Sequence, residues 1–343
     1  MSAEVTRERI HALPKAELHV HLDGSLRPST IIELASEVGL EIPSSDPEEL
    51  AHALSASGSK DLADYLSKFS TTLALMQTAE ALERTAFELA ADSAAENIRY
   101  LEVRYSPVLH TSDGMALEDA VAAPLKGLAK AEAELGIRTG LIICGIRSLD
   151  PTVSLRLAEL AVAFKDQGVV GFDLAGAEPG NPARDHLAAF QHAIRNNLAL
   201  TIHAGEGDGA ESIAQAVHEC NARRIGHGTR LLEDPALEAF VNDFRIPLEV
   251  CLTSNVQTRV APTFGDHPLR RYFDAGLVVT LNTDNRLFSE TTLTDEYWLA
   301  HTELGFGWDE LTEVALLGFQ SAFLPYEAKV NLLEEAEEDA RAL

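Results

Sequence analysis

Short runs of aliphatic and β-branched residues alternate along the chain with longer stretches whose apolar positions recur every three or four residues. Eight short runs predict strands: 16–21 (AELHVH), 98–105 (IRYLEVRY), 139–146 (TGLIICGI), 169–174 (VVGFDL), 199–203 (ALTIH), 224–227 (RIGH), 247–251 (PLEVC) and 278–282 (VVTLN). The stretches between them, such as TAEALERTAFELAADSAAEN, DPTVSLRLAELAVAFKDQG and PARDHLAAFQHAIRNN, predict amphipathic helices. Strands that alternate with helices build a parallel sheet, and eight of them favour closure into an α/β (β/α)8 TIM barrel over an open, doubly wound sheet. The chain then forms one barrel domain over 1–343, with a helical insertion after the first strand at about 29–80. Within the insertion, Thr30 and Glu33 make a T-x-x-E capping box that predicts a helix from about 31 to 38. Residues 41–59 are turn-rich and 62–76 are helical again. In a barrel this insertion sits over the catalytic face, where it can act as a lid. The last segment, LPYEAKVNLLEEAEEDARAL, predicts an acidic helix packed on one side through Val330, Leu332 and Leu333.

Composition narrows the function more than the fold. Lys+Arg is 27 against Asp+Glu 54, a formal charge of −27. That balance excludes a nucleic-acid backbone or an anionic membrane surface as the main partner. No stretch approaches the roughly 20 apolar residues of a membrane helix. The N-terminal segment has no apolar signal core, so a cytoplasmic protein is expected. The three cysteines, Cys144, Cys220 and Cys251, are odd in number and widely spaced, which fits a reducing compartment. They read as small buried hydrophobes, with Cys251 placed near a pocket floor by the end of its strand.

The candidate chemistry lies at the strand ends. In a closed barrel these ends share one site. His19 and His21 close the first strand, and an i, i+2 pair turns both imidazoles to one face. Alone, H-x-H is a weak signal. His203 closes the fifth strand, and Glu206 follows in the Gly-flanked loop HAGEGDG. A glutamate buried beside a metal can carry a proton, because burial raises its pKa. His227, in RIGHGTR, could be a ligand, a base or a structural hydrogen-bonder. Asp284 follows the eighth strand, where a buried carboxylate must be paired or metal-bound. Three histidines and one aspartate suit Zn2+ better than calcium or magnesium. The histidines at 11, 52, 186, 192, 218, 267 and 301 lack partner spacing and carry no expected role, and His110 stays open.

Assembled, the segments AELHVHLDGSLRP, YLEVRYSP, VVGFDLAGAE, HAGEGDGAES, RIGHGTRL, CLTSNVQT, LNTDN and SAFLP resemble the adenosine deaminase family of the amidohydrolase superfamily. HVHLDG, HAGE and GHG are specific as a set, while any one alone is not. The resemblance covers nearly the whole chain. It implies one Zn2+ per chain, held by His19, His21, His203 and Asp284 at the barrel mouth. It implies hydrolytic deamination of a small-molecule purine nucleoside at C6, with release of ammonia. Glu206 would deliver a proton to purine N1, and His227 would orient and activate the attacking water, with Asp284 sharing that task. Asp23 would contact the ribose 5′ hydroxyl, and the Gly176 N–H would reach purine N3.

Two positions depart from the family pattern. Asn285 stands where an aspartate is common, facing purine N7. A carboxylate there must hold a proton to donate, whereas the Asn NH2 donates at any pH. Ala177 replaces an acid near the pocket rim. Adenosine and 2′-deoxyadenosine are the expected substrates. The alternatives are another 6-aminopurine, such as 6-aminodeoxyfutalosine, a methylthioadenosine-type nucleoside or adenine, and a catalytically dead purine-binding barrel. The cytidine-deaminase type is excluded, since the chain has no P-C-x-x-C.

Overall fold

The computed structural model describes residues 4–343, so the first three residues of the expected 1–343 domain lie outside the described residues. All eight predicted runs are parallel strands: β1 (Lys15–His21), β2 (Ile98–Tyr105), β3 (Arg138–Ile146), β4 (Val169–Ala175), β5 (Ala199–Ala204), β6 (Arg224–His227), β7 (Leu248–Val250) and β8 (Val279–Leu281). Their order in the sheet is their order in the chain, β1 to β8. The ends of the sheet meet beyond β8, where Val20 bridges Asp284 in parallel. The Asp284 N–H donates to the His19 carbonyl at 2.9 Å, and the His21 N–H donates to the Asp284 carbonyl at 2.7 Å. The result is a nearly closed (β/α)8 TIM barrel with helices around it.

The interior of this barrel departs from the usual filling of branched aliphatics. Glu102 and Arg104 of β2, Asp173 of β4, Arg224 of β6 and Glu249 of β7 are all buried, at 1% exposure or less. They survive there because they pair with one another. Arg104 bonds to Asp173 at 3.0 Å and to Glu249 at 2.8 Å, and Arg224 bonds to Glu249 at 2.6 Å and to Glu102. The apolar core lies outside the strands, between sheet and helices. A smaller cluster at the opposite end seats the acidic C-terminal helix Tyr326–Ala342. Leu332 and Ala336 pack there on Ala16, Leu18, Tyr100 and Phe319.

The insertion between β1 and β2 holds four short helices rather than the two expected. The first is Pro28–Val38. Pro28, with its φ preset, opens this helix two residues before Thr30. Thr30 is therefore inside the first turn, and no capping box forms. Its hydroxyl donates to Glu88 instead, and Glu33 pairs with Arg84. The turn-rich segment contains a helix, Pro47–Leu54, started by the Asp46 carboxylate, which accepts from the Glu48 and Glu49 N–H groups at 3.0 Å each. The segment 62–76 splits into Leu62–Leu66 and Phe69–Leu75.

Two outer helices, Ala79–Ala95 and Leu117–Leu135, cross closely at Gly127. A Cβ there would collide with the Glu83 carbonyl oxygen and the Phe87 nitrogen, both backbone atoms of the facing helix. Gly127→Ala is predicted to destabilise the fold by about 1–3 kcal/mol through forced separation, despite the better helix propensity of alanine. Urea denaturation reads this directly, and an unchanged midpoint contradicts the crossing.

Candidate active site

His19, His21, His203 and Asp284 converge at the C-terminal end of the barrel, each offering one ligand atom within 4.8 Å of the others. His21 Nε2 lies 3.2 Å from His203 Nε2. Asp284 Oδ1 lies 3.3 Å from His21 Nε2 and 3.5 Å from His19 Nε2. β1 slips in its pairing with β2 between Glu17 and Val20, the kind of bulge that re-aims side chains beside a site. Asp284 itself sits at φ +60°, held there by the two backbone bonds of the barrel seam.

The far side of each imidazole decides what this cluster can bind. His19 Nδ1 lies 2.8 Å from Glu249 Oε2, and His203 Nδ1 lies 2.9 Å from Asp173 Oδ2. Ionised carboxylates only accept, so both Nδ1 atoms carry a proton, and in the neutral ring Nε2 presents its lone pair. Burial works against the charge on Asp173, but His203 and Arg104 outweigh it and hold the carboxyl far below its usual range. Glu249 is likewise held well down, burial being overcome by Arg104 and Arg224. Burial pushes His21 down to about 3, so it too is neutral. The His19, His21 and His203 imidazoles and the Asp284 carboxylate thus converge on one point, and His19 Nε2 is buried with no protein partner. Such a set fits a cation, and nitrogen-rich donors fit zinc.

Around this point lies a cavity of about 240 Å3. Asp23, Gly176, Glu206, His227 and Asn285, all singled out in the sequence, line it together. Burial, with Asp284 and Glu178 nearby, raises the Glu206 carboxyl well above its ordinary range. These surroundings favour the protonated acid over the carboxylate. Its Oε2 lies 3.6 Å from His227 Nε2. His227 stands at φ +64°, and burial beside His19 drives its pKa well down. Asn285 Nδ2 donates to the Tyr65 hydroxyl at 3.0 Å, which leaves its second amide hydrogen free. Gly24 of HLDG makes room for that amide, since any Cβ there would overlap it. The apolar wall comes from the insertion, through Leu62, Leu66, Phe69 and Leu73.

Several residues of the site carry no expectation from the sequence. The Glu178 carboxylate accepts four successive backbone N–H groups, from Gly205 at 2.7 Å, Glu206 at 3.0 Å, Gly207 at 2.6 Å and Asp208 at 3.0 Å. It fixes the loop that carries Glu206, and it keeps a carboxylate beside Ala177. Ser254 donates to Asp284 Oδ2 at 2.6 Å. His110, left open in the sequence, is buried with Nε2 3.6 Å from Asp23 Oδ2. Cys144, not Cys251, lines the cavity; Cys251 turns its thiol to the Glu249 carbonyl. The signal for Arg104, Asp173 and Glu249 was present as charges inside predicted strands, single in β4 and β7 and three in β2.

A parallel eight-stranded barrel with imidazoles at the ends of strands one and five and a carboxylate after strand eight has the architecture of the amidohydrolase superfamily. Within it, residues 14–339 match the family model described as adenosine deaminase, and the chain belongs to that family. An adenosine deaminase of Mycobacterium sp. (strain JLS) is 42% identical, covering 98% of this chain and 97% of its own length. Adenine deaminase from Arthrobacter aurescens superposes with a TM-score of 0.89 at 31% identity, over 96% of this chain and 99% of that one. An amidohydrolase from Burkholderia ambifaria with bound Zn superposes with a TM-score of 0.88 at 27% identity, over 99% of this chain and 96% of that one.

The carboxylates behind the imidazoles yield a prediction. Glu249→Gln places an NH2 among Arg104, Arg224 and His19, all donors. The expected result is a loss of zinc affinity of about 10–100-fold. Competition against a chromophoric chelator measures it, and an unchanged dissociation constant removes Glu249 from the site.

Proposed function

We propose that the protein is a zinc-dependent adenosine deaminase that hydrolyses adenosine and 2′-deoxyadenosine to inosine and 2′-deoxyinosine with release of ammonia. The observation that carries this reading is a buried Glu206, its carboxyl favoured in the protonated form, set beside the His19, His21, His203 and Asp284 cluster in one cavity. His19, His21, His203 and Asp284 would hold one zinc per chain. When bound, zinc supplies the Lewis acidity that makes water a nucleophile at neutral pH.

The remaining work falls to the chain's own groups. Glu206 gives its proton to purine N1, so the ring gains a tetrahedral C6 without building negative charge. Asn285 donates its free amide hydrogen to N7, the Gly176 N–H serves N3, and Asp23 accepts from the ribose 5′ hydroxyl. His227 and Asp284 flank the attacking oxygen. The apolar helices of the insertion form a lid that excludes bulk water. No described helix is long and apolar enough to cross a membrane, and the acidic charge of −27 keeps nucleic acid away. A purine nucleoside in the cytoplasm fits these facts.

The first test is ammonia release by the zinc-loaded protein with adenosine, adenine and 6-aminodeoxyfutalosine at equal low concentration. Preference for adenosine is expected. A preference for one of the others keeps the chemistry and replaces the substrate. Chelation should abolish turnover and added zinc restore it. Glu206→Gln should keep fold and metal yet lose about 10²–10⁴ in kcat, because the amide has no proton of the required acidity to give. Near wild-type turnover in that variant ends the assignment.

A further inference from the structure

His267 has no partner spacing in the sequence, yet it is buried at 4% exposure next to a residue of the site. Its Nδ1 lies 3.1 Å from the backbone nitrogen of Leu269. A backbone N–H only donates, so Nδ1 accepts. Burial pushes this ring's pKa down to about 3, so the neutral ring keeps its one proton on Nε2. That Nε2 lies 3.1 Å from a terminal atom of the Asn255 side chain. Since the ring N–H donates, the atom it meets is the amide oxygen. The Thr229 hydroxyl donates to the same oxygen at 3.1 Å. The Asn255 NH2 must then face the other way, where it meets His227 Nδ1 at 3.0 Å. An amide NH2 only donates, so His227 Nδ1 accepts, and His227 carries its proton on Nε2. Nε2 is the nitrogen turned toward Glu206 and the cavity.

Each assignment in this series starts from the unambiguous donor at Leu269 and forces the next. All the side chains in it are buried, so no solvent offers an alternative partner. The Tyr272 hydroxyl bonds to the Gly228 and Thr229 carbonyls at 2.9 and 3.0 Å, which fixes the turn that holds His227 at positive φ.

We propose that Asn255 and His267 are positioning residues that lock His227 in the Nε2–H tautomer, so that His227 acts as a hydrogen-bond donor to the oxygen adding at C6 and not as the base. The proposal rests on the deaminase reading above and assigns its protons. Water adds across the N1–C6 double bond: its oxygen bonds to C6, and N1 takes the proton of Glu206. The water's own proton goes to the ionised Asp284, which shares a 4.8 Å group with Glu206 and His227. From there it passes to the amino nitrogen. The C6–N bond breaks and ammonia leaves; the C6 hydroxyl becomes a carbonyl as its proton returns to the Glu206 carboxylate, and the N1–H stays with the product. His227 neither gains nor loses a proton.

The test is long-range 1H–15N correlation on the zinc-loaded enzyme labelled at histidine, with the His227 signals assigned by their absence in His227→Gln. The expected pattern is an unprotonated Nδ1 and a protonated Nε2; the reverse overturns the proposal. Asn255→Leu should move His227 to mixed tautomers and lower kcat on the order of a hundredfold, with KM for adenosine and zinc content kept. A full kcat with the signature unchanged overturns it. Should that variant fail to fold, His267 carries the same comparison: His267→Gln retains a donor toward Asn255 and should stay near wild type, while His267→Leu should fall with Asn255→Leu. His227→Gln offers an NH2 and no basic lone pair, so it should exceed His227→Ala at least tenfold. Equal inactivity of the two means that His227 is a base. A wild-type protein that releases no ammonia from any 6-aminopurine ends the deaminase reading, and the 15N pattern still decides the tautomer.

Discussion

One guanidinium shared between two carboxylates governs the geometry of the site. Arg104 reaches Asp173 and Glu249 at once, and each of these carboxylates holds the Nδ1 of one imidazole, on His203 and His19. Without Arg104, two buried negative charges would lie close together in a medium of low dielectric, and one would take up a proton. A protonated carboxyl would no longer demand a proton on Nδ1, and the lone pairs at Nε2 would lose their common direction. The barrel interior is thus an ion-paired frame for two of the proposed ligands. Three of its carboxylates, Glu102, Asp173 and Glu249, face two guanidiniums, Arg104 and Arg224. The excess negative charge lies beneath the imidazoles, where it favours a cation above.

Backbone strain falls on the same small region. Among the described residues, His227 and Asp284 are the two of the cavity lining, glycine aside, that stand at positive φ. Such a conformation persists only where the surroundings over-determine it. At Asp284 the surroundings are the two bonds that join the ends of the sheet. At His227 they are the flanking glycines and the Tyr272 hydroxyl. Gly226 is needed for a different reason, since a Cβ there would press on His19 and on the His203 backbone at 3.1 Å each.

The barrel was legible in the chain because each strand is a run of aliphatic residues closed by turn residues, and all eight runs fall within two residues of the observed ends. The proposed ligands stood out because polar residues at strand ends are costly without a purpose. The insertion was read less well. Its helices are short, and their starts depend on proline and aspartate (Pro28, Asp46 with Pro47) more than on apolar period. The supporting shell escaped for another reason. Arg104, Asp173 and Glu249 lie inside strands, and a charge within a strand does not announce its partner on another. Asn255 and His267 lie twelve residues apart in the chain, and their link to His227 exists only through the fold.

The seam at Asp284 bears on how the protein is made. His19 and His21 leave the ribosome well before Asp284. The sheet edges they join are far apart in sequence; Glu17 and Thr283, bonded beside them, are separated by 266 residues. A growing chain can pair β1 with β2, then β3, and so on in order, but the last ligand arrives only when the eighth strand has emerged. Ribosome-bound chains that have not yet released β8 hold three of the four ligands and no closing edge. Metal capture by the proposed set would therefore wait for the eighth strand and be coupled to the closing of the barrel.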